Sequence, residues 1–330
     1  MELRQLGSSD VNVTPVALGA WAIGGWLWGG TDDQKAVAGI QHAIDLGMTT
    51  IDTAAIYGMG HSEKIVGRAI RGRRDKVQIL TKFGLRWDLA KGTEYFDTAD
   101  ADGRPLRVYK YGGAESVLEE CDRSLRRLGV DTLDLYQHHW PDPSTPIAET
   151  MEACARLLEK GKIRAVGVSN YTPEMMEEAR QVTPLASNQP PYSMLRRDIE
   201  ADVLPYCRKH GIGVLVYSPL QQGLLTGKVT MDRTFPPDDI RSRSAYFRPE
   251  NRRRVLEFLD AVRPIAEAHG ATLAQVVIQW TIRRPGVTAA LVGVRNPEQA
   301  EENAKAGALR LTSEEIKRID RLLADLKLDL

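Results

Sequence analysis

The feature that most limits the possible folds is a regular alternation of short apolar runs with amphipathic runs along the chain. Runs such as VQILTKF and IGVLVYS are typical of buried parallel strands, because Val, Ile and Leu dominate them. Each apolar run is followed by a helical pattern, for example ESVLEECDRSLRRLG. About eight such strand–helix units occupy 330 residues. This pattern predicts a (β/α)8 TIM barrel rather than an open sheet.

Further elements are expected at both ends of the chain. MELRQL, a GSSD turn and VNVTPVALG predict an N-terminal β-hairpin. Extra helices are expected near the C-terminus, starting at Pro297 and at Thr312. No change of composition suggests a domain boundary, so residues 1–330 are expected to form a single barrel domain.

Some local details of this barrel are also predicted. Thr31 and Ser62 are the expected N-caps of the first two helices. Residues 84–112 and 218–248 are too long to be simple connections. Because both follow strands, they are expected on the C-terminal face, where barrels of this type keep their active sites.

Composition argues against several classes of function. The 44 Lys and Arg residues balance the 44 Asp and Glu residues, so nucleic acid and anionic membranes are not expected partners. No apolar run approaches the roughly 20 residues of a membrane span, and the N-terminus lacks the apolar core of a signal peptide. The expected location is therefore the cytoplasm, and the expected partner is a small molecule.

Familiar cofactor and metal motifs are missing. Gly211-Ile-Gly213 lacks the third glycine of a dinucleotide fingerprint and precedes a strand instead of a helix. Cys121, Cys154 and Cys207 are far apart, without the spacing of a zinc site or a disulfide framework. No metal site is expected.

Ionisable residues stand at the ends of three successive predicted strands: Asp52, Lys82 and His139. Tyr57 follows just after the second strand. Barrel topology brings neighbouring strand ends together. A tyrosine hydroxyl has an ordinary pKa near 10, and a nearby lysine is expected to lower it. With a carboxylate to orient the lysine and a histidine to bind the substrate oxygen, such a set could polarise and protonate a carbonyl.

The sequence resembles the aldo-keto reductase superfamily over residues 14 to 306. IDTAAIYGMGHSEKIVG, ILTKFG, LDLYQHHWPDP, GKIRAVGVSNY and VYSPL carry the resemblance, and it is strongest to a bacterial branch that includes general stress proteins. It implies an enzyme that reduces aldehydes or ketones with NADPH, with Asp52, Tyr57, Lys82 and His139 as the catalytic tetrad and Tyr57 as the general acid. The family's histidine precedes Trp-Pro, which selects His139 over His138.

The resemblance also implies where NADP(H) binds. Ser169, Asn170 and Gln189 would hold the nicotinamide carboxamide, and Tyr217 would stack on its ring. The remaining cofactor contacts implied are Ala20, Trp21 and Asp52 at the nicotinamide edge, Ser218, Pro219, Leu220, Gln222, Gly223, Leu224, Lys228 and Arg241 at the pyrophosphate, and Gly293, Val294, Arg295, Gln299, Glu302 and Asn303 at the adenosine. A helix opening at Asn296-Pro297 adds free N–H groups for a phosphate.

The sequence departs from the family at the adenosine end, and this leaves some NADH use open. Many members carry Lys where this chain has Gly293 and Arg where it has Gln299. Trp21, Trp26, Trp28 and Trp87 are expected around the substrate.

Several alternatives to a reductase remain open. They are an NADP-dependent polyol, sugar or alcohol dehydrogenase, a non-catalytic NADP-binding redox-sensing subunit, and a metal-dependent barrel hydrolase using His42, His61 or the His138–His139 pair. The last is disfavoured because His42 and His61 do not lie at strand ends. A monomer is favoured, with self-association through the amphipathic terminal helix as the alternative.

Overall fold

The protein forms a closed eight-stranded parallel barrel surrounded by helices, as the sequence predicts. The computed structural model describes residues 1–28, 30–100, 102–236 and 239–330. The barrel strands are β3 (Val16–Gly19), β4 (Thr50–Asp52), β5 (Gln78–Phe83), β9 (Leu135–His138), β10 (Val166–Ser169), β11 (Leu185–Gln189), β12 (Gly213–Tyr217) and β13 (Ala289–Gly293). Each strand pairs with its sequence neighbour in the barrel, and β13 closes the circle on β3.

Helices cover the outside of the barrel. They are α1 (Asp33–Asp45), α2 (His61–Ala69), α3 (Ala114–Leu128), α4 (Ile147–Glu159), α5 (Pro173–Arg180), α6 (Val203–His210), α7 (Pro249–Ala268), α8 (Leu273–Ile282), α9 (Pro297–Ala308) and α10 (Ser313–Asp325). Extra helices near the C-terminus were expected, and α9 and α10 begin at the predicted caps Asn296 and Thr312.

Two predicted helix starts were wrong. Asp32, not Thr31, caps α1, because its carboxylate accepts hydrogen bonds from the amides of Gln34 and Lys35. Ser62 lies inside α2, where its hydroxyl donates to the carbonyl of Ala20. A polar side chain near a helix start can form a hydrogen bond with another segment instead of capping the helix.

The N-terminal hairpin closes the lower end of the barrel. It consists of β1 (Arg4–Gln5) paired antiparallel with β2 (Asn12–Val13), so the predicted second strand divides before β3. Leu6, Val11 and Val13 are fully buried against apolar residues of the barrel interior such as Leu80. The open end of the barrel is therefore the one where the strands finish.

Residues 84–112 contain regular structure of their own. They form a three-stranded antiparallel sheet, with β6 (Leu85–Arg86) and β7 (Thr93–Ala99) on either side of β8 (Pro105–Lys110). Residues 218–248 include short 3-10 turns, among them Gln221–Thr226 and Ile240–Arg243. Both segments contribute to the wall of one cavity at the upper end of the barrel.

Candidate active site

A cavity of about 880 Å³ opens at the carboxyl ends of the barrel strands. Its wall includes most residues expected at the cofactor: Ala20, Trp21, Asp52, Ser169, Asn170, Gln189, Tyr217, Ser218, Pro219, Leu220, Gln222, Gly223, Lys228, Arg241, Gly293, Arg295, Gln299, Glu302 and Asn303. Leu224 and Val294 lie outside this wall, because both side chains are fully buried in the core.

Lys82 connects the carboxylate and the phenol at the bottom of the cavity. Its Nζ atom donates to Asp52 Oδ1 at 2.5 Å, to the carbonyl of Thr53 at 2.9 Å and to Tyr57 Oη at 3.3 Å. Lys82 is 1% exposed and Asp52 2%. Burial lowers the pKa of Lys82, but the charge of Asp52 and the phenol outweigh burial, so the net pKa is raised. The ammonium is therefore charged at neutral pH.

The phenol of Tyr57 has a pKa above its ordinary value. Burial raises the pKa, and the neighbouring Lys82 ammonium offsets only part of that shift. The expected lowering by the lysine is thus outweighed, because a phenolate loses its hydration in this cavity. Tyr57 is consequently protonated at neutral pH and able to donate a proton. Its ring lies 6.1 Å from that of Trp21 and meets the His139 ring edge-on at 5.7 Å.

The two adjacent histidines face opposite sides of their strand. His139 lies in the cavity wall, and burial together with the Lys82 charge holds its pKa well below the usual range, so the imidazole is neutral. His138 points away from the cavity, stacks on Phe83 and shares a hydrogen bond of 2.8 Å with the hydroxyl of Tyr171. Of the pair, only His139 is placed to meet a substrate oxygen.

The second oxygen of Asp52 is held by two amides. Gln189 Nε2 donates to Asp52 Oδ2 at 2.9 Å, and Gln137 Nε2 donates to the same atom at 3.2 Å. Gln137 is not among the residues predicted from the sequence. Its position two residues before His139 could have indicated it, because alternate residues of a strand face the same side.

Three polar side chains converge beside the tetrad. Ser169 Oγ donates to the carbonyl of Gln189 at 2.7 Å, and Asn170 Nδ2 donates to Ser169 Oγ at 3.0 Å. The Tyr217 hydroxyl donates to Asn170 Oδ1 at 2.9 Å. Asn170 has a left-handed φ of 62°, a strained conformation that the surrounding bonds maintain.

The segment after β12 turns sharply around the cavity. Ser218, Gln221 and Gln222 have φ values of 57°, 46° and 55°, which are uncommon for residues other than glycine. Three such residues in one short loop indicate an uncommon backbone conformation that the surrounding structure maintains.

The expected phosphate-binding cations have acidic partners in the structure. Lys228 Nζ lies 2.7 Å from Glu302 Oε2, across the cavity. Arg241 pairs with Asp239 at 2.6 Å and lies 4.4 Å from the Phe235 ring centroid. Both residues were expected to contact the pyrophosphate, and no acidic partner was predicted for either. A phosphate that bound to either cation would therefore have to displace its carboxylate partner.

The helix that opens at Asn296 is capped by its own side chains. Asn296 Oδ1 accepts from the amide of Gln299, and Gln299 Oε1 accepts from the amide of Arg295 at 2.9 Å. The free N–H groups expected there are therefore partly occupied. Asn303 Nδ2 donates to the carbonyl of Gly293 at 3.0 Å and so joins α9 to the end of β13.

Aromatic side chains line the part of the cavity above Tyr57. Trp21, Trp26, Trp28, Tyr95, Phe96 and Trp140 all belong to its wall. Trp87, expected near the substrate, is not part of the wall, although it packs against the small apolar cluster that includes Leu85 and Val108. Trp26 joins the two sides of the wall, since its Nε1 donates to Thr98 Oγ1 at 2.8 Å.

The wall fits an extended nicotinamide dinucleotide. Polar groups of Ser169, Asn170 and Gln189 lie beside Tyr217, and cationic Arg295 belongs to the same wall. The side-chain oxygen of Gln222, also in the wall, is buried without a hydrogen-bond partner among the described residues. An unpartnered buried polar atom calls for a ligand or water. We therefore identify the cavity as a site with the donor set and size for such a cofactor.

The described residues contain neither a membrane-spanning helix nor a cluster of metal ligands. None of the described helices is both long and apolar enough to cross a membrane. No group of three or more His, Cys, Asp or Glu side chains comes close enough to hold a metal ion, again within the described part of the chain.

The barrel and its polar cavity floor define an oxidoreductase of the aldo-keto reductase type. The chain belongs to the aldo/keto reductase family, whose model matches residues 15–324. It is 38% identical over 326 residues to the aldo-keto reductase YhdN of Bacillus subtilis, covering 98% of this chain and 94% of that one. It is 37% identical to the NADH-specific methylglyoxal reductase of Escherichia coli, covering 94% and 95% of the two chains.

Solved structures show the same likeness. A glycerol dehydrogenase from Gluconobacter oxydans superposes with a TM-score of 0.88 at 42% identity, covering 98% of this chain and 95% of that one. An aldo/keto reductase from Klebsiella pneumoniae, in complex with NADP and acetate, superposes with a TM-score of 0.72 at 32% identity, covering 98% and 95%.

Proposed function

We propose that this protein reduces aldehydes or ketones to alcohols with NADPH, using Tyr57 as the general acid. Bound NADPH would supply the hydride that the carbonyl carbon accepts. The Tyr57 hydroxyl donates its proton to the carbonyl oxygen as negative charge develops there. Lys82 stabilises the resulting phenolate, and neutral His139 donates a hydrogen bond that orients the oxygen.

The observation that carries this proposal is the position of Lys82. Its ammonium touches both the carboxylate of Asp52 and the hydroxyl of Tyr57 in a buried site. A buried lysine paired in this way keeps its charge while the phenol keeps its proton. The phenol can then donate its proton to a substrate, and the ammonium stabilises the phenolate that remains.

The proposed cofactor is NADP(H) rather than NAD(H). Arg295 lines the cavity where the adenosine would lie, and a guanidinium suits a 2′-phosphate. Glu302 opposes this preference because its carboxylate would face the same phosphate. The NADP complex of the Klebsiella relative supports NADP(H), whereas the name of the Escherichia relative supports some use of NADH.

The first experiment measures loss of NADPH absorbance with a panel of small and aromatic aldehydes. Tyr57→Phe is the matched variant, because it removes only the hydroxyl. Turnover should fall by at least about a hundredfold, while NADPH binding, followed by quenching of tryptophan fluorescence, stays within about twofold. A Tyr57→Phe enzyme that retains most of its activity would contradict the role of Tyr57.

A second candidate is oxidation of an alcohol or polyol by NADP+. The 42% identity to a glycerol dehydrogenase favours it, and it is the same chemistry in reverse. It is tested by adding glycerol and other polyols with NADP+ in the same assay. Tight NADPH binding without turnover in either direction would instead indicate a redox-sensing subunit.

A further inference from the structure

A fully buried glutamine lies beneath the tetrad and has no place in the mechanism above. Gln137 is 0% exposed and lies on the inner face of β9. In the barrel register it is level with Lys82 on one neighbouring strand and with Gly167 on the other. An uncharged polar side chain here must be satisfied by the surrounding groups, since water cannot reach it.

Space for this side chain depends on a glycine in the next strand. A Cβ atom at Gly167 would lie 2.9 Å from Gln137 Cγ and 2.6 Å from Ser187 Oγ, both too close. Glycine at this position of β10 therefore leaves room for the Gln137 side chain inside the barrel.

The hydrogen bonds around Gln137 have a fixed direction. Asp52 is ion-paired with Lys82 and accepts hydrogen bonds through Oδ2, so both neighbouring amides must turn their NH2 groups toward it. Gln189 has a second amide hydrogen, which it donates to Gln137 Oε1 at 3.1 Å. Both hydrogens of the Gln189 amide are then used inside the barrel.

The remaining atom of that amide, Gln189 Oε1, is left for the cavity. Gln189 belongs to the cavity wall, and no described residue donates to its Oε1 atom. If Gln137 accepted no hydrogen bond, the Gln189 amide could rotate by half a turn at the cost of its bond to Asp52. The hydrogen bond to Gln137 thus further stabilises the orientation in which Gln189 Oε1 faces the cavity.

We propose that Gln137 is a positioning residue that makes the cavity selective for a nicotinamide carboxamide. Asp52 and Gln137 each hold one hydrogen of the Gln189 amide, so its oxygen is presented to the ligand as an acceptor. An acceptor selects a group that carries N–H. The inference rests on the proposed binding of the nicotinamide at Gln189. In this proposal, Gln137 sets the selectivity for the carboxamide without touching either cofactor or substrate.

The test compares NADP+ with its 3-acetylpyridine analogue, in which a methyl ketone replaces the carboxamide and no N–H is present. Dissociation constants are measured by tryptophan fluorescence, without turnover. The wild type should prefer NADP+ by roughly fivefold from this one hydrogen bond. In Gln137→Met, which removes both bonds at similar volume, the ratio of the two constants should fall toward one.

Gln279→Met is the matched control. Gln279 is a second glutamine only 1% exposed, it donates to the carbonyl of Leu309, and it lies outside the cavity wall. Loss of a buried amide should cost stability in both variants, but only Gln137→Met should change the ratio. An unchanged ratio in Gln137→Met, or an equal change in both variants, would overturn the proposal.

Gln137→Glu is a second variant that keeps the side-chain length. Its carboxyl offers an oxygen that can accept from Gln189 whether it is protonated or ionised, so the preference for NADP+ should survive. Loss of the preference in this folded variant would also overturn the inference. Failure of the wild type to bind either dinucleotide would instead refute the proposed function.

Discussion

At the scale of single residues, the site is governed by competition between burial and nearby charge. Tyr57 shows this most clearly, because Lys82 favours the phenolate and burial favours the phenol, and burial prevails. His139 is kept neutral by the same two influences acting together. The site therefore holds one proton on Tyr57 and one positive charge on Lys82.

The first prediction concerns the pH dependence of the two directions of reaction. Because the pKa of Tyr57 is raised, carbonyl reduction should be nearly constant from about pH 6 to about pH 9 and decline above that range. Alcohol oxidation needs the phenolate and should rise across the same range. Initial rates in both directions test this, and a decline of reduction between about pH 6 and 8 would show that Tyr57 ionises near neutrality.

The second prediction concerns cofactor choice. Glu302→Gln removes the carboxylate that pairs with Lys228 and would face the 2′-phosphate, which only NADPH carries. The ratio of KM for NADH to KM for NADPH should rise about threefold to tenfold. Glu301→Gln is the control, because Glu301 is an exposed residue of the same helix outside the cavity wall. An equal response of both variants would indicate a general effect of charge.

At the scale of elements, a buried carboxyl on α3 binds the point where the chain passes from barrel strand β5 into the inserted sheet. Glu120 on α3 accepts hydrogen bonds from the amide of Gly84 and from the hydroxyl of Ser116. Burial raises the pKa of Glu120 to about 7, so the folded protein binds a proton there that an unfolded chain releases near its ordinary pKa.

The third prediction follows from that proton. Between about pH 4.5 and pH 7 the folded state holds more protons at Glu120 than the unfolded state, so its contribution to stability falls as the pH rises. Glu120→Gln lacks this dependence. Relative to wild type, its free energy of unfolding should increase by up to about 3 kcal/mol between pH 4.5 and pH 8. Urea titrations at the two pH values measure it, with exposed Glu115→Gln expected to show a much smaller change.

The fourth prediction concerns the contact between the inserted sheet and the loop after β3. Trp26 bonds to Thr98 and stacks on Phe96 at 5.8 Å. Trp26→Ala should lower kcat/KM for aryl aldehydes by about tenfold and change that for small aldehydes by less than about twofold. Trp87→Ala is the control, because Trp87 lies outside the cavity wall. A similar loss in both variants would mean that the sheet is destabilised as a whole.

At the scale of the whole molecule, the barrel has one closed and one open end. The hairpin fills the lower end, and Gly7 in its turn approaches the barrel closely: a Cβ atom there would lie 2.4 Å from the carbonyl of Ala186. On the outer surface, Ile319 and Leu323 of α10 are buried against the rest of the chain. These two residues of the apolar face of the terminal helix thus pack within the molecule.

The fifth prediction separates close packing from backbone strain. Gly7 and Gly129 have similar left-handed φ values of 59° and 67°, but nothing lies within 4 Å of a Cβ atom at Gly129. Gly129→Ala should therefore cost only about 1 kcal/mol of unfolding free energy. Gly7→Ala should cost about 2 kcal/mol or more beyond that, because the barrel floor must shift. Equal losses would show that the hairpin is not tightly packed against the barrel.

The sequence by itself determined the barrel, because apolar runs separated by helical patterns leave few topologies. It also predicted Asp52, Tyr57, Lys82 and His139 as a group, with the family resemblance selecting His139 over His138. The fold and the predicted site residues depend on the order and periodicity of residue types, which the sequence contains directly. Local caps were less certain, because Ser62 could serve either its own helix or a distant carbonyl.

Only the tertiary structure decided the chemistry between residues far apart in sequence. Whether Tyr57 is more or less acidic depends on how deeply it is buried beside Lys82. The pairing of Lys228 with Glu302 joins two segments that no local pattern connects. The role of Gln137 arises because three strands bring Asp52, Gln137 and Gln189 together. Burial, pairing and hydrogen-bond direction depend on distance in space, and a sequence alone does not contain those distances.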